Sequence, residues 1–341
     1  KWKDLLKEGK EIIITDPEAT RFFWTVDQAV DLIFDCLETA ETYEPHITKM
    51  KSMEMGDLLK AMANKIHCWW NYGSYLMKIL VIGGNRFVGK KLVTELLNQS
   101  YEVTVLNRSG SGADGAKKIK FDRNIEEHYN YVDFNQYDCI VDMCLFKAEQ
   151  FKLIKNKISD NINYIFVSSG AVDYIDTNSF GDYAIEKMEV EKEISQTNLN
   201  YKIIRPSYIV GMGNHRPRLG YYISKLKNNE SISIDGDGNY PINLVFADDV
   251  VECLLRLIHE EDKTYETYNV CGNESITINE LIKFLKSELD IESHKVVETS
   301  DSLFPNQSFE FSNEKIKKEY SINFTNTKNG IKKYVREYNE L

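Results

Sequence analysis

From Met77 onward, short apolar runs alternate with stretches in which apolar residues return every three or four positions. The first run, Lys78 to Ile82, is made largely of β-branched and long aliphatic residues, and Val88, Leu92, Val93, Leu96 and Leu97 then recur at helical spacing. That pattern predicts a buried strand followed by an amphipathic helix, Lys90 to Gln99. The same reading predicts strands at 102–106, 118–121, 139–143, 164–167 and 201–204, with helices at 147–157 and 183–196 among those between them. Strand and helix alternating in this way build a parallel, doubly wound α/β sheet. Beyond Pro206 the regularity stops, because Gly211, Gly213, Pro217, Gly220, Gly236 and Gly238 divide the chain into shorter pieces. A smaller C-terminal substrate lobe is expected there, with helices at 249–259, 278–285 and 330–338 and a strand at 267–270 returning to the sheet. The expected division is thus an appended α/β fragment over 1–76, the sheet domain over 77–205, and the lobe with its C-terminal helices over 206–341.

The turn after the first strand carries chemistry. Glycines at 83, 84 and 89 let the backbone bend sharply, approach a pyrophosphate and pack the helix on the sheet, while free N–H groups at the helix start face the phosphates. This is how a Rossmann-like dinucleotide-binding domain opens, although it stands here in mid-chain. Arg86 replaces the middle glycine of the usual spacing, so the expected cofactor contacts are Gly83, Gly84, Arg86, Phe87, Val88 and Gly89. A tight turn without a ligand is the plainer reading of the same residues. The second strand ends in Asn107-Arg108, with no carboxylate to bond a ribose 2′-hydroxyl. Arg108 instead offers a fork for a 2′-phosphate, which favours NADP(H) over NAD(H).

Composition narrows the partners. The 341 residues carry a formal charge of -11, which argues against a nucleic-acid or anionic-membrane surface. Cysteines at 36, 68, 139, 144, 253 and 271 form no C-x-x-C pair and no zinc spacing, so no metal is expected and the thiols read as reduced. There is no apolar window long enough for a membrane helix, and Lys1-Trp2-Lys3-Asp4 is not a signal peptide, so a cytoplasmic location is expected. Trp69-Trp70, near Tyr72 and Tyr75, is the one aromatic cluster suggesting a covered patch, and a homodimer is a candidate assembly.

Tyr183 and Lys187 lie four residues apart on a predicted helix, so the ammonium can sit beside the phenol and lower its pKa toward neutrality. Ser169, in Phe166-Val167-Ser168-Ser169-Gly170, ends the fifth strand at the sheet edge where such folds bind ligands. A Tyr-x-x-x-Lys pair alone is usually structural. Downstream of a dinucleotide turn and a Ser-Ser strand end, it points to catalysis.

On these motifs, residues 77–341 resemble an extended short-chain dehydrogenase/reductase of the nucleotide-sugar epimerase/dehydratase/reductase group. The resemblance implies Ser169 as the carbonyl-binding serine, Tyr183 as acid/base, and Lys187 as its tuner and a ribose ligand. It places Met143 and Pro206, at strand ends, beside the cofactor, with Arg205-Pro206-Ser207 matching the strand end near the nicotinamide. Asp248-Asp249-Val250 matches a lobe motif, but the arginine that often grips the diphosphate six residues earlier is Ile242. Arg216 and Arg218 are the chemical substitutes, and with Ser169 and Asn243 they complete the expected substrate set. The Gly-Gly-x-Arg-Phe-x-Gly pattern also resembles a branch containing chloroplast stem-loop RNA-binding proteins, which keeps a non-catalytic reading open.

Residues 1–66 resemble a different enzyme. Ile14 to Phe23 and Val26 to Asp31 are similar to the C-terminal part of a UDP-N-acetylglucosamine 4,6-dehydratase of the polysaccharide-biosynthesis type, in which the arginine matching Arg21 contacts the nucleotide. The piece has no glycine turn and no Tyr/Lys pair, so it reads as a fusion remnant or as a segment that lends Arg21 to a site. The product of such a dehydratase is a UDP-4-keto-6-deoxy-N-acetylhexosamine. NADPH-dependent reduction of its C4 keto group is therefore the expected activity, with a 4-epimerase holding NAD as the alternative.

Overall fold

The computed structural model describes residues 76–177, 179–260, 264–299 and 302–340, together with the backbone of two strands nearer the N-terminus. The chain divides into two compact units, Lys1–Tyr75 and Leu76–Leu341. In the first, β1 (Thr20–Phe23) pairs antiparallel with β2 (Lys51–Glu54), and Arg21 lies opposite Met53. The rest of the dehydratase-like motif, Cys36, Cys68 and the Trp69-Trp70 cluster lie outside the described residues.

The second unit is built on β3 (Lys78–Ile82), α1 (Phe87–Asn98), β4 (Glu102–Asn107), β5 (Lys117–Lys120), β6 (Cys139–Asp142), α2 (Ala148–Lys155), β7 (Asn163–Val167), α3 (Asp182–Ser195) and β8 (Tyr201–Pro206). The lobe adds β9 (Tyr208–Val210), α4 (Arg218–Lys227), β10 (Ser231–Ile234), β11 (Pro241–Phe246), α5 (Ala247–Ile258), β12 (Glu266–Val270), β13 (Ser275–Thr277), α6 (Ile278–Leu289), β14 (Lys295–Glu298), α7 (Glu314–Tyr320) and α8 (Thr327–Asn339). Seven strands form one parallel sheet in the order β12-β8-β7-β6-β3-β4-β5. Crossovers in a parallel sheet place helices on both faces, and the central strands are accordingly largely apolar: Ile79, Leu80, Val81, Ile140 and Ile165 are fully buried. The expected α/β fold with a returning strand, β12, is what the chain adopts.

In the lobe, three strands join in the order β13-β11-β9, and β10 pairs with β14. The glycine-broken pattern did not reveal β9, β10, β11, β13, β14, α4 or α7. These strands are three to six residues long, too short for periodicity to register. Local chemistry also moves boundaries. The Asn326 side chain accepts from Asn329 N and starts α8 at Thr327, ahead of the expected residue 330. Thr277 and Glu280 form a capping box that starts α6, which runs on to Leu289. Among the described residues no helix is long and apolar enough to cross a membrane.

Candidate active site

All the strand ends expected to carry function lie at the C-terminal edge of the parallel sheet, where N–H groups and loops converge on a ligand. After β3, Gly83 adopts φ +96° and its N–H donates to Leu106 O at 2.9 Å, tying the turn to β4. A Cβ on Gly89 would stand 2.5 Å from Gly83 O, so the first turn of α1 approaches the strand end as only glycine permits. Phe87 follows at φ +45°, and its ring lies against Gly211 at the start of the lobe. Helix α1 has no side-chain cap and no acidic residue in its first turn, so its N–H groups are left for an anion. These residues fit a dinucleotide pyrophosphate: Gly83, Gly84, Phe87, Val88 and Gly89 through the backbone, with the exposed Arg86 beside them.

After β4, Asn107 shapes the loop. Its Oδ1 accepts from Ser109 N at 3.1 Å and Ser109 Oγ at 2.7 Å, and its Nδ2 donates to Ser111 O at 2.7 Å. Asn107 therefore braces the loop that presents the exposed Arg108. Asn85 Nδ2 reaches the same loop, donating to Ser109 Oγ at 3.1 Å, and joins the two turns in a way the spacing did not suggest. Met143, after β6, packs against the cradle, with its sulfur 3.2 Å from where a Gly89 Cβ would lie. Pro206 pairs with Val270 at the end of β8.

The chemistry-bearing side chains come together between β7 and α3. The Tyr183 hydroxyl approaches that of Ser169, and the residue is 40% exposed. Lys187, one helical turn on, is only 2% exposed. Its Nζ donates to Leu145 O at 2.8 Å and Val167 O at 3.0 Å, and lies 4.9 and 4.7 Å from the ring centres of Phe146 and Phe166. Burial pulls the ammonium down to about 8; the nearby Asp142 opposes that shift and Arg123 adds to it. The expectation of a Lys187-lowered phenol is corrected here. Burial raises the Tyr183 pKa, and what offsets it is the nearby Ser169 hydroxyl and the charges of Arg218 and Arg216 in the lobe. Lys187 is anchored to main-chain carbonyls instead.

In the lobe, the Arg218 guanidinium lies 4.7 Å over the Tyr208 ring and 5.6 Å from that of Phe304. Its Nε and the Tyr208 hydroxyl are buried with no hydrogen-bond partner among the described residues. Arg216 is exposed on the preceding loop. Asn243 is 4% exposed, its Oδ1 accepts from Phe311 N at 2.8 Å and its Nδ2 donates to Gly272 O at 3.5 Å, so these bonds hold its amide inside the lobe. Asp248 and Asp249 separate in role: Asp248 meets Lys91 and Lys333 at 2.7 and 2.8 Å, while Asp249 accepts from Thr325.

A buried carboxylate that sequence reasoning passed over, Asp142 at the end of β6, is 0% exposed, pairs with Arg123 at 2.8 Å and accepts from Tyr164 OH at 3.1 Å. A carboxylate ending an apolar strand needs such partners, and that requirement was the available signal. Among the described residues no group of His, Cys, Asp or Glu could hold a metal ion. Cys139, Cys144, Cys253 and Cys271 are free thiols, and burial pushes their pKa up.

The sequence model of the NAD-dependent epimerase/dehydratase family matches residues 79–156 and 158–271, spanning the glycine cradle, Ser169, Tyr183, Lys187 and the lobe through Cys271. The chain belongs to that family. Family membership makes it an NAD(P)-dependent enzyme of the extended short-chain dehydrogenase/reductase type, with a nucleotide-sugar epimerase/dehydratase architecture. A second family, described as polysaccharide biosynthesis protein, matches residues 1–115 and so runs past the junction and through β4.

Among curated relatives, the chloroplast stem-loop binding protein of 41 kDa b of Arabidopsis thaliana is 25% identical over 60% of this chain, and the match spans 61% of that protein's length. A putative UDP-glucose 4-epimerase of Methanocaldococcus jannaschii is 24% identical over 62% of this chain and 82% of its own. Solved epimerases and dehydratases of the family share the fold. The dTDP-glucose 4,6-dehydratase DesIV of Streptomyces venezuelae, solved with NAD, superposes with a TM-score of 0.66 at 18% identity over 77% of this chain and 97% of that one. The UDP-glucose 4-epimerase of Thermotoga maritima, solved with UDP-glucose, gives 0.63 at 18% identity over 77% and 99%.

Proposed function

We propose that the protein reduces the C4 keto group of a UDP-4-keto-6-deoxy-N-acetylhexosamine with NADPH, in the cytoplasm. The observation that carries this reading is the approach of the Ser169 and Tyr183 hydroxyls at the sheet edge, one helical turn from the buried Lys187 ammonium. Two neighbouring hydroxyls can both turn to one incoming carbonyl oxygen. Ser169 then orients and polarises the C4 oxygen, and Tyr183 delivers the proton that oxygen takes up as the ketone becomes an alcohol. Lys187, cationic below about pH 8, holds a positive charge under the site. Arg218 and Arg216 supply the charge for the sugar nucleotide's diphosphate, in the place Ile242 leaves without an arginine.

The cofactor would be held by the cradle from Gly83 to Gly89, by Met143 and Pro206, and by Lys187 at its ribose; Arg108, with no carboxylate at the end of β4, favours the 2′-phosphate of NADP(H). When bound, NADPH supplies the hydride. We read residues 1–76 as a dehydratase tail fused to this reductase, the piece that would precede it in the reaction order.

Incubating the full chain with the keto-sugar and either cofactor, while following reduced-cofactor absorbance, tests the assignment. NADPH is consumed, and NADH more slowly. A sugar isomerised without consumption of either cofactor would replace this reading with the 4-epimerase, which the Methanocaldococcus relative's name favours. Salt-sensitive RNA binding without turnover would replace it with the binding role named for the Arabidopsis relative, against which the charge of -11 argues.

A further inference from the structure

The end of β7 and the helix α3 are joined by buried charged hydrogen bonds that the reaction scheme above leaves unused. Glu191 is 8% exposed and follows Lys187 by four residues and Tyr183 by eight, so one face of α3 carries all three. Its carboxylate accepts from Ser168 Oγ at 2.5 Å and from Arg205 Nε at 3.0 and 3.2 Å, with Arg205 Nη2 at 2.5 Å. The remaining arm of the guanidinium, Nη1, donates to Asp173 at 2.6 Å.

Ser168 directly precedes Ser169, and Asp173 stands four residues after it, in the 3-10 stretch Gly170–Thr177. The short segment that carries Ser169 is thus held on both sides, by Ser168 to Glu191 and by Asp173 to Arg205. Glu191 comes from the helix that carries Tyr183, and Arg205 from the neighbouring strand β8. A planar guanidinium shared by two carboxylates fixes distance and orientation together, and charged bonds are about twice as strong as neutral ones. Inside a protein, they also resist relaxation if one partner moves.

We propose that Glu191 and Arg205 are positioning residues that hold the Ser169 hydroxyl beside the Tyr183 phenol. The proposal rests on the reading of Ser169 and Tyr183 as the carbonyl-binding pair. Neither Glu191 nor Arg205 touches the reacting atoms; both act through Ser169. Spacing alone could have exposed the first of them, because Tyr183, Lys187 and Glu191 recur every four residues.

The test uses the full chain with NADPH and the UDP-4-keto-6-deoxy-N-acetylhexosamine. Glu191→Gln lowers kcat by about 100-fold, as misplacement by about an ångström does, while KM for NADPH changes by no more than about twofold. Glu191→Asp, which keeps the charge, recovers part of the loss. Adding Ser169→Ala to Glu191→Gln costs no more than Ser169→Ala alone, since a residue that acts only through Ser169 has nothing left to position. Losses that multiply, or a Glu191→Gln kcat within about twofold of wild type, overturn the proposal. Should Glu191→Gln not fold, Ser168→Ala, which leaves the Glu191–Arg205 pair intact, is put through the same cycle with a loss of about tenfold expected. If the wild type turns over no keto-sugar, the functional reading fails but this one is still decided, by the ¹³C resonance of Tyr183 Cζ. Glu191→Gln and Ser169→Ala shift that resonance alike and the double variant no further; an unmoved resonance in Glu191→Gln refutes the positioning role.

Discussion

In the sheet half, the carboxylates of Asp142 and Glu191 are buried and each meets a guanidinium, whereas in the lobe the Arg218 guanidinium lies over the rings of Tyr208 and Phe304 with its Nε unpartnered among the described residues. The first arrangement sets charge against charge, with Arg123 Nη1 alone left without a partner among the described residues, and fixes the end of β7, the helix α3 and the end of β6. The second is open, since a half-buried cation with an unused donor gains from an anion brought to it. The contrast teaches a division of work, with geometry set by the sheet half and ligand charge answered by the lobe. Tyr183 belongs to both. It grows from a helix of the sheet half, and the charges that act on it come from Arg218 and Arg216.

The sharpest way to break this comparison is at Tyr183. Tyr183→Phe removes the proton donor and nothing else, so kcat is expected to fall by about 10²–10⁴-fold, with NADPH affinity measured by fluorescence titration left as in wild type. Retained turnover would return Tyr183 to the surface. Next in size is the energetic signature of Lys187. Its ammonium titrates at about 8 in the folded protein and at 10.5 ordinarily, so between those pH values the unfolded chain holds more protons than the folded one. Wild-type stability therefore rises with pH across that window, by about 3 kcal/mol at 1.36 kcal/mol per unit, and the burial cost is present in full below pH 8. Denaturant unfolding of Lys187→Met across the same range should show that rise missing; an identical pH profile in both proteins would mean that the ammonium is hydrated.

Arg218→Met tests the open half. Loss of one charge-assisted contact of about 1.5–3 kcal/mol raises the KM for the sugar nucleotide by about 10–100-fold, while calorimetric binding of NADPH is unchanged. A parallel loss of cofactor affinity would erase the division between the two halves. The smallest effect is expected at Arg108, where Arg108→Ala weakens NADPH by about tenfold and leaves NADH alone. Equal losses for both cofactors would assign the arginine to the pyrophosphate rather than to the 2′-phosphate.

Much of the sheet half was legible in residue order because each of its signals is local. Lys78 to Ile82 is apolar at every position but its first, Gly83 and Gly89 stand where a turn must close on a helix, and Tyr183 and Lys187 are one turn apart. The lobe resisted. Tyr208–Val210 and Ser275–Thr277 become strands only because Pro241–Phe246 lies between them, and no window of three residues contains that fact. Nothing in the sequence showed that the amides of Asn243 and Asn107 also brace loops, since a short polar side chain bonds the nearest backbone group that folding presents.

What residue order alone determined is the list of groups and their local spacing: a glycine cradle, a strand ending in Ser168-Ser169, a helix carrying Tyr183 and Lys187, and an arginine where a carboxylate would select NAD(H). The tertiary structure decided which of them act on one another. It moved the charge felt by Tyr183 from its helical neighbour Lys187 to Arg218 and Arg216, more than thirty residues away in the chain, and it bound Glu191 to Ser168 and Arg205. Electrostatic and hydrogen-bond energies depend on distance and burial, and those exist only once the strands have paired.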